Sequence, residues 1–213
     1  MSVVLLLAVC WVVRVAQLWL RGRSSRPSGA TPIHTMAVLG SGGHTAEMLA
    51  LLRTLPRTDY CPRDYVLAQS DHTSAERIEA FEAERRATDE RANAADFRLL
   101  RLPRAREVGQ SYWSSVLTTL HALFHAMVLV GSARPSLLLC NGPGTCIPIC
   151  ACAYALRLLG IRHVTIVYVE SIARVTTLSL SGKILVHVAD QFLVQWPQLA
   201  QRYPRARYIG RVA

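Results

Sequence analysis

A chain of 213 residues with 51% apolar side chains is long enough for one α/β domain with a sizeable core. Its 24 basic and 14 acidic residues leave a formal charge of +10, which suits an anionic partner such as an acidic membrane face or a phosphate-bearing ligand. Nucleic acid is set aside: the arginines are scattered, no zinc-finger or RNA-binding signature occurs, and aromatic residues are only 7%.

The first element predicted is an uncleaved transmembrane anchor over residues 2–20, "SVVLLLAVCWVVRVAQLWL". As a helix it would be about 28 Å long, close to the thickness of a bilayer core. Arg14 and Gln17 interrupt it only near its inner end, and Trp19 falls where an interfacial aromatic belongs. Arg21, Arg23 and Arg26 follow at once, so the flanking charge predicts a cytosolic domain. A cleaved signal peptide would need a basic start and a small-residue cleavage site, and this stretch has neither, so the alternative to a spanning anchor is an amphipathic segment lying in the membrane plane. Residues 21–32, "RGRSSRPSGATP", have no apolar period and read as a basic linker.

From residue 33 strands and helices alternate, which defines a single Rossmann-like domain over 33–213. Strands are expected at 33–40, 64–70, 96–103, 136–142, 163–170, 191–196 and 206–212. Helices are expected at about 45–55, 72–95, 111–133, 144–160, 175–188 and 197–203, with a loop at 104–111. In the charged segment 72–95 only Ile78 and Phe81 form an apolar stripe, so most of that helix should face water. Several strands are continuous apolar runs, the pattern of a parallel sheet covered on both faces. The fold class is therefore α/β, a doubly wound parallel sheet behind one N-terminal transmembrane helix.

Two glycine-rich turns fall at carboxyl ends of strands, where such sheets collect ligands. The first is Gly40-Ser41-Gly42-Gly43-His44-Thr45 and the second Asn141-Gly142-Pro143-Gly144-Thr145. Glycine lets backbone approach an anion, and the helix that follows offers free N–H groups and the positive end of its dipole. Neither turn is a P-loop, since no G-x-x-x-x-G-K-[ST] occurs. A dinucleotide fingerprint is also disfavoured, because Thr45 replaces the third glycine and the next suitable acid, Asp71, comes about thirty residues after Gly40. No organic cofactor is expected.

Six cysteines, at 10, 61, 140, 146, 150 and 152, form no C-x-x-C pair and are expected as reduced, mostly buried thiols. Neither asparagine begins a glycosylation sequon, in keeping with a cytosolic domain. His121 and His125 share a helix face but lack a third ligand, so no metal site is expected. The same apolar helix, through Leu117, Leu120 and Phe124, could pack as plain core or rest on a bilayer.

"GSGGHTAEM", "CNGPGTCIP", "YVESIARV", "SGKIL" and "DQFLVQWP…YPRARYIGRV" together resemble the asparagine-linked glycosylation protein fourteen family. Its members are membrane-anchor subunits of the endoplasmic-reticulum UDP-N-acetylglucosamine transferase. The match runs from about residue 34 to the end, and the domain is similar to the acceptor-side half of the two-domain bacterial glycosyltransferase that makes peptidoglycan precursor. The resemblance implies an inverting transferase complex that adds the second N-acetylglucosamine to dolichol diphosphate-N-acetylglucosamine on the cytosolic face of the endoplasmic reticulum. It implies a soluble catalytic partner of the protein thirteen family, which supplies the sugar-nucleotide half, and the transferase that adds the first sugar as a further partner. This subunit would anchor the complex in membrane lipid, present the acceptor and be inactive alone.

Transfer with inversion needs a base for the acceptor hydroxyl and stabilisation for the diphosphate. His44, at a helix N-terminus, is the candidate base or diphosphate ligand. Glu170, ending an apolar strand beside Ser171 and Arg174, is the second catalytic candidate, against a structural pairing with Arg174. Gly42, Gly43, Thr45, Asn141, Gly142 and Gly144 are the acceptor-diphosphate candidates. The acid-free end of the chain, with Arg207, Tyr208, Arg211 and Val212, is the candidate partner-docking surface. Two other readings stay open: a scaffold that adds no reactive group, and a self-sufficient nucleotide-binding enzyme.

Overall fold

The computed structural model describes residues 32–88, 96–103, 112–142 and 144–212, together with Val13 and Gln17. The expected anchor over 2–20 apart from Val13 and Gln17, nearly all of the linker and the 104–111 loop lie outside the described residues. Among the described residues no helix is long and apolar enough to cross a membrane.

Strand and helix alternate as β1 (Thr35–Val38), α1 (Gly43–Arg53), β2 (Arg63–Ala68), α2 (His72–Thr88), β3 (Phe97–Leu102), α3 (Tyr112–Ala133), β4 (Leu137–Asn141), α4 (Cys146–Leu158), β5 (Thr165–Val169), α5 (Leu180–Leu185), β6 (Gln191–Val194), α6 (Pro197–Arg202) and β7 (Ala206–Tyr208). The strands form one sheet in the order β3-β2-β1-β4-β5-β6-β7, and every pairing is parallel. β1, β2 and β4 are buried at every position, and Met36–Val38, Tyr65–Ala68 and Leu137–Cys140 within them are the apolar runs that the sequence shows. The doubly wound α/β class inferred from that pattern is the architecture observed.

The pleat sends alternate residues to two cores. Ala37, Leu39, Tyr65 and Leu67 pack with Met48 and Leu52 of α1 and Ile78 and Phe81 of α2. Met36, Val38, Leu138 and Cys140 pack on the other face with Ala126 and Val130 of α3 and Ile149 and Ala153 of α4. The chain thus changes sheet face after β3 and enters β4 beside β1. That reversal opens a crevice at the carboxyl ends of β1 and β4.

At the opposite, amino ends of the strands, Asp64 accepts two bonds from Arg98 (2.7 and 2.8 Å) and lies 2.8 Å from His34 Nε2. Burial pulls the Asp64 carboxyl up, but the bonds and charges of His34 and Arg98 outweigh it and hold it below the usual carboxylate range. This clip spans the entry to β1, β2 and β3. On α2 the stripe of Ile78 and Phe81 is joined by buried Ser74 and Glu82, and the Tyr65 hydroxyl donates a hydrogen bond to Glu82 Oε1.

One helix is shorter than expected. Residues 171–179 are not helical, and α5 begins only at Leu180. Glu170 explains this: its carboxylate accepts the backbone N–H groups of Ser171 and Ser179, both at 3.0 Å, and so ties the intervening loop closed. Ser179, held extended at φ −61° and ψ 166°, then caps α5 by accepting from Gly182 N. Cys140, Cys146, Cys150 and Cys152 are buried free thiols and Cys61 is a partly exposed one.

Candidate functional site

The two glycine turns leave β1 and β4, which are direct neighbours, so they stand side by side over the crevice. They meet through one hydrogen bond: His44 Nδ1 lies 2.8 Å from Asn141 Oδ1. Gly142 makes that contact possible. Its φ of +67° is the left-handed region that favours glycine, and a Cβ there would sit 2.2 Å from His44 Cε1. The imidazole therefore rests directly against the Gly142 backbone.

Around this pair α1 offers an uncapped N-terminus. Gly42 holds the N-cap position at φ +69° with no side-chain cap, and no acid occupies the first turn. Gly43 and Gly144 are exposed, and a Cβ on either would meet nothing within 4 Å. Packing within the chain does not demand glycine at those two positions, whereas close approach of an anion to the backbone would. Arg77 of α2 reaches the first turn by donating to the Gly42 carbonyl at 3.3 Å, which adds an exposed cation to the rim. At the start of α4, Thr145 Oγ1 is buried without a hydrogen-bond partner among the described residues.

Two of the residues singled out in the sequence have their side chains turned inward. Thr45 is fully buried, donating to the Gly40 carbonyl at 2.5 Å and lying 2.6 Å from Ser74 Oγ. It fastens the first turn to α2 by its side chain, which leaves only its backbone N–H for a ligand. Glu170 is also fully buried. Besides the two backbone bonds already given, its Oε2 accepts from Ser179 Oγ at 2.9 Å. Arg174 is exposed, and Glu170 forms no ion pair with it. In this arrangement Glu170 shapes the loop behind the crevice and does not line it.

The residue that sequence reasoning missed is Glu47, one turn along α1 from His44. It is 5% exposed and has no basic partner among the described residues. Instead four donors converge on it: Asn141 Nδ2 at 3.0 Å, Ser171 Oγ at 3.0 Å, the Ile172 backbone N–H at 3.2 Å and Gln195 Nε2 at 2.9 Å. Glu47 thereby joins β4, the loop after β5 and the end of β6 behind His44. The available signal was a lone acid on the buried face of a helix otherwise lined by Met48 and Leu52, a costly placement unless the charge is used. Arg77 carried no such signal, because only the tertiary fold brings α2 to the turn.

Arg207, Tyr208 and Arg211 are exposed at the end of the sheet, on and after the edge strand β7. Val212 is half-buried and its backbone N–H donates to Gln195 Oε1 at 2.8 Å. Arg211 lies over the Trp196 ring at 5.6 Å. The tail is thus seated on the same side of the molecule as the Glu47 network. His121 and His125 face each other with Nε2 atoms 3.0 Å apart on the exposed side of α3, and no cluster of three potential ligands forms among the described residues.

A family model described as "Oligosaccharide biosynthesis protein Alg14 like" matches residues 35–212. The chain is 50% identical over 201 residues to the UDP-N-acetylglucosamine transferase subunit ALG14 of Rattus norvegicus, covering 94% of this chain and 93% of that one. It is 47% identical to the human protein of the same name, with the same coverage, and 43% identical to that of Yarrowia lipolytica over 98% of this chain and 93% of that one. Among solved structures, MurG of Acinetobacter baumannii has a similar fold, with a TM-score of 0.55 and 18% identity over 84% of this chain. The chain spans 45% of the MurG length. Matched across nearly its whole described domain, this chain belongs to the Alg14 family.

Proposed function

We propose that this chain is the membrane-anchoring, acceptor-presenting subunit of a UDP-N-acetylglucosamine transferase acting in oligosaccharide biosynthesis. In this reading the complex adds the second N-acetylglucosamine, with inversion, to dolichol diphosphate-N-acetylglucosamine at the cytosolic face of the endoplasmic reticulum. A soluble subunit of the Alg13 family supplies the donor half, the transferase that adds the first sugar docks nearby, and neither half works alone.

The observation that carries the reading is the meeting of the two glycine turns at His44 and Asn141. The crevice offers backbone N–H groups of Gly43, His44 and Thr45, the Gly142 and Gly144 backbone, and the Arg77 cation for a diphosphate. His44 contributes a nitrogen that can accept a proton or, when charged, bind a phosphate oxygen. The relatives are named as subunits of a UDP-N-acetylglucosamine transferase, which supports a donor half held on another chain. For the lipid, α3 has no charged residue, yet Leu117, Leu120, Phe124 and Val128 are 56–74% exposed along one stripe. An exposed apolar face of that kind suits a bilayer surface beside an acceptor's hydrocarbon tail.

A second reading, a scaffold that adds no reactive group, draws on the inward-facing side chains of Glu170 and Thr45. One experiment separates the two. The full-length chain is purified from membranes with its soluble partner, and transfer from UDP-N-acetylglucosamine to a diphosphate-linked acceptor is measured for wild type and His44→Ala. Loss of turnover with the partner still bound supports the acceptor-site reading; unchanged turnover supports the scaffold. Transfer by the isolated chain would overturn both.

A further inference from the structure

We infer that Glu47 is a positioning residue: through Asn141 it fixes the imidazole of His44 with its proton on Nδ1 and leaves Nε2 as the unprotonated, working nitrogen. The inference rests on His44 being the functional group of the proposed site. The direction of every bond in the chain behind His44 can be fixed from groups that have no choice. The Val212 backbone N–H only donates, so the Gln195 atom 2.8 Å away is its carbonyl oxygen. The Gln195 amide nitrogen must then face the other way, and it does: it donates to the Glu170 backbone carbonyl at 3.1 Å and to Glu47 Oε2 at 2.9 Å. The Ile172 backbone N–H, again donor only, also points at Glu47 Oε2.

Glu47 Oε2 thus already accepts from two groups that can only donate, and it has no proton to offer Asn141. Asn141 must therefore turn its NH2 group toward Glu47, at 3.0 Å, and its Oδ1 toward His44, at 2.8 Å. Opposite that oxygen His44 Nδ1 has to carry a proton. A neutral ring then has its lone pair on Nε2, and a charged ring donates from Nε2. Because Asn141 and Glu47 are buried, a turned-over amide would set its oxygen against Glu47 Oε2 with no solvent to relieve the loss, which holds the amide in this orientation. A histidine at a helix N-terminus that served only to close a turn would need no such chain, since a bond to any backbone carbonyl would hold it.

The test reads the tautomer directly. Full-length chain labelled with 15N-histidine is placed in lipid nanodiscs at about pH 8.5, where ordinary imidazoles are neutral. Long-range proton–nitrogen correlation spectra are recorded, and the His44 signals are assigned by their loss in His44→Gln. Wild type is expected to show the proton on Nδ1. Glu47→Ala frees the Asn141 amide to turn, so the Nε2–H form should appear. Adding Asn141→Asp to Glu47→Ala places an acceptor-only group opposite Nδ1, so the Nδ1–H form should return. Turnover of the complex should follow the same order, falling by up to about 10²-fold in Glu47→Ala and recovering in part in the double variant. A wild-type proton on Nε2, an unchanged tautomer in Glu47→Ala, or no return in the double variant would each overturn the assignment. The spectra judge the positioning role even where His44→Ala keeps full turnover, an outcome that would instead remove the functional reading of His44.

Discussion

Glu170 Oε2 occupies the space that a side chain on Gly182 would need: a Cβ built there would lie 2.1 Å from that oxygen. Residue 182 sits in the first turn of α5, and the carboxylate it packs against is the one that closes the 171–179 loop. The loop in turn supplies Ser171 and Ile172 to Glu47. A methyl group at residue 182 is therefore felt two elements away.

Gly182→Ala should force Glu170 from its seat, strip Ser179 of its acceptor and lower stability by about 2–4 kcal/mol. Thermal unfolding of the purified complex checks this. A variant as stable as wild type would show that the loop is not held by Glu170.

Gly142→Ala places a side chain at φ +67° and drives it into His44. The backbone strain alone should cost about 1 kcal/mol. The displaced imidazole should lower transfer by on the order of 10²-fold, because misplacement of a reacting group by an ångström has that scale of effect. Partner capture should be unchanged. Gly144→Ala meets open space and leaves the imidazole in place, so any loss it causes would report on the ligand and not on His44.

Asp64 sets an acid limit. Its carboxyl in the folded chain lies below its ordinary value of 3.8, held there against burial by His34 and Arg98. A depressed folded value means that its stabilisation is fully present above about pH 4 and is lost as pH falls through the lower, folded value. Denaturant midpoints should fall as pH drops below about 4, and Asp64→Asn should weaken this dependence while being less stable at neutral pH. A wild-type midpoint that rises toward acid would contradict the clip.

The four buried thiols should resist alkylation. Burial raises Cys140 well above the ordinary thiol range and Cys152 up to about 11, and it raises Cys61 as well, so it is exposure that sets Cys61 apart. After brief iodoacetamide treatment of the native protein, mass spectrometry should find Cys140, Cys146, Cys150 and Cys152 unmodified and Cys61 modified first among the described cysteines. Uniform labelling would mean the α4 face opens readily.

Arg207→Glu with Arg211→Glu, and Tyr208→Ala, change exposed side chains and should leave the melting temperature within about 2 °C of wild type. If the tail docks the soluble subunit, each should reduce its co-purification by about tenfold or more, the scale of an aromatic or arginine anchor in an interface. Val212→Pro removes the N–H that Gln195 accepts and should loosen the same surface without changing its charge.

The fold was legible because burial leaves a one-dimensional record. β1, β2 and β4 are covered on both faces, so each contains a run of apolar residues, and the helices between them make the crossovers that parallel strands require. The glycine turns were legible for a related reason, since Gly42 and Gly142 adopt positive φ that few other residues tolerate. The late start of α5 was not legible: helix is expected from residue 175, nothing local in "VTTLS" forbids it, and a carboxylate contributed by residue 170 overrides its propensity.

The sequence by itself thus determined the alternation of strands and helices and the two turns, because apolar periodicity and glycine conformation are local properties of the chain. Only the tertiary structure decided which side chains face the crevice. It turned Thr45 and Glu170 inward, brought Arg77 to the rim, and gathered Glu47, Asn141, Ser171 and Gln195, which lie up to 148 residues apart, into one network. A buried carboxylate needs donors from whatever elements pack around it, and their sequence separation is set by sheet order, not by spacing along the chain.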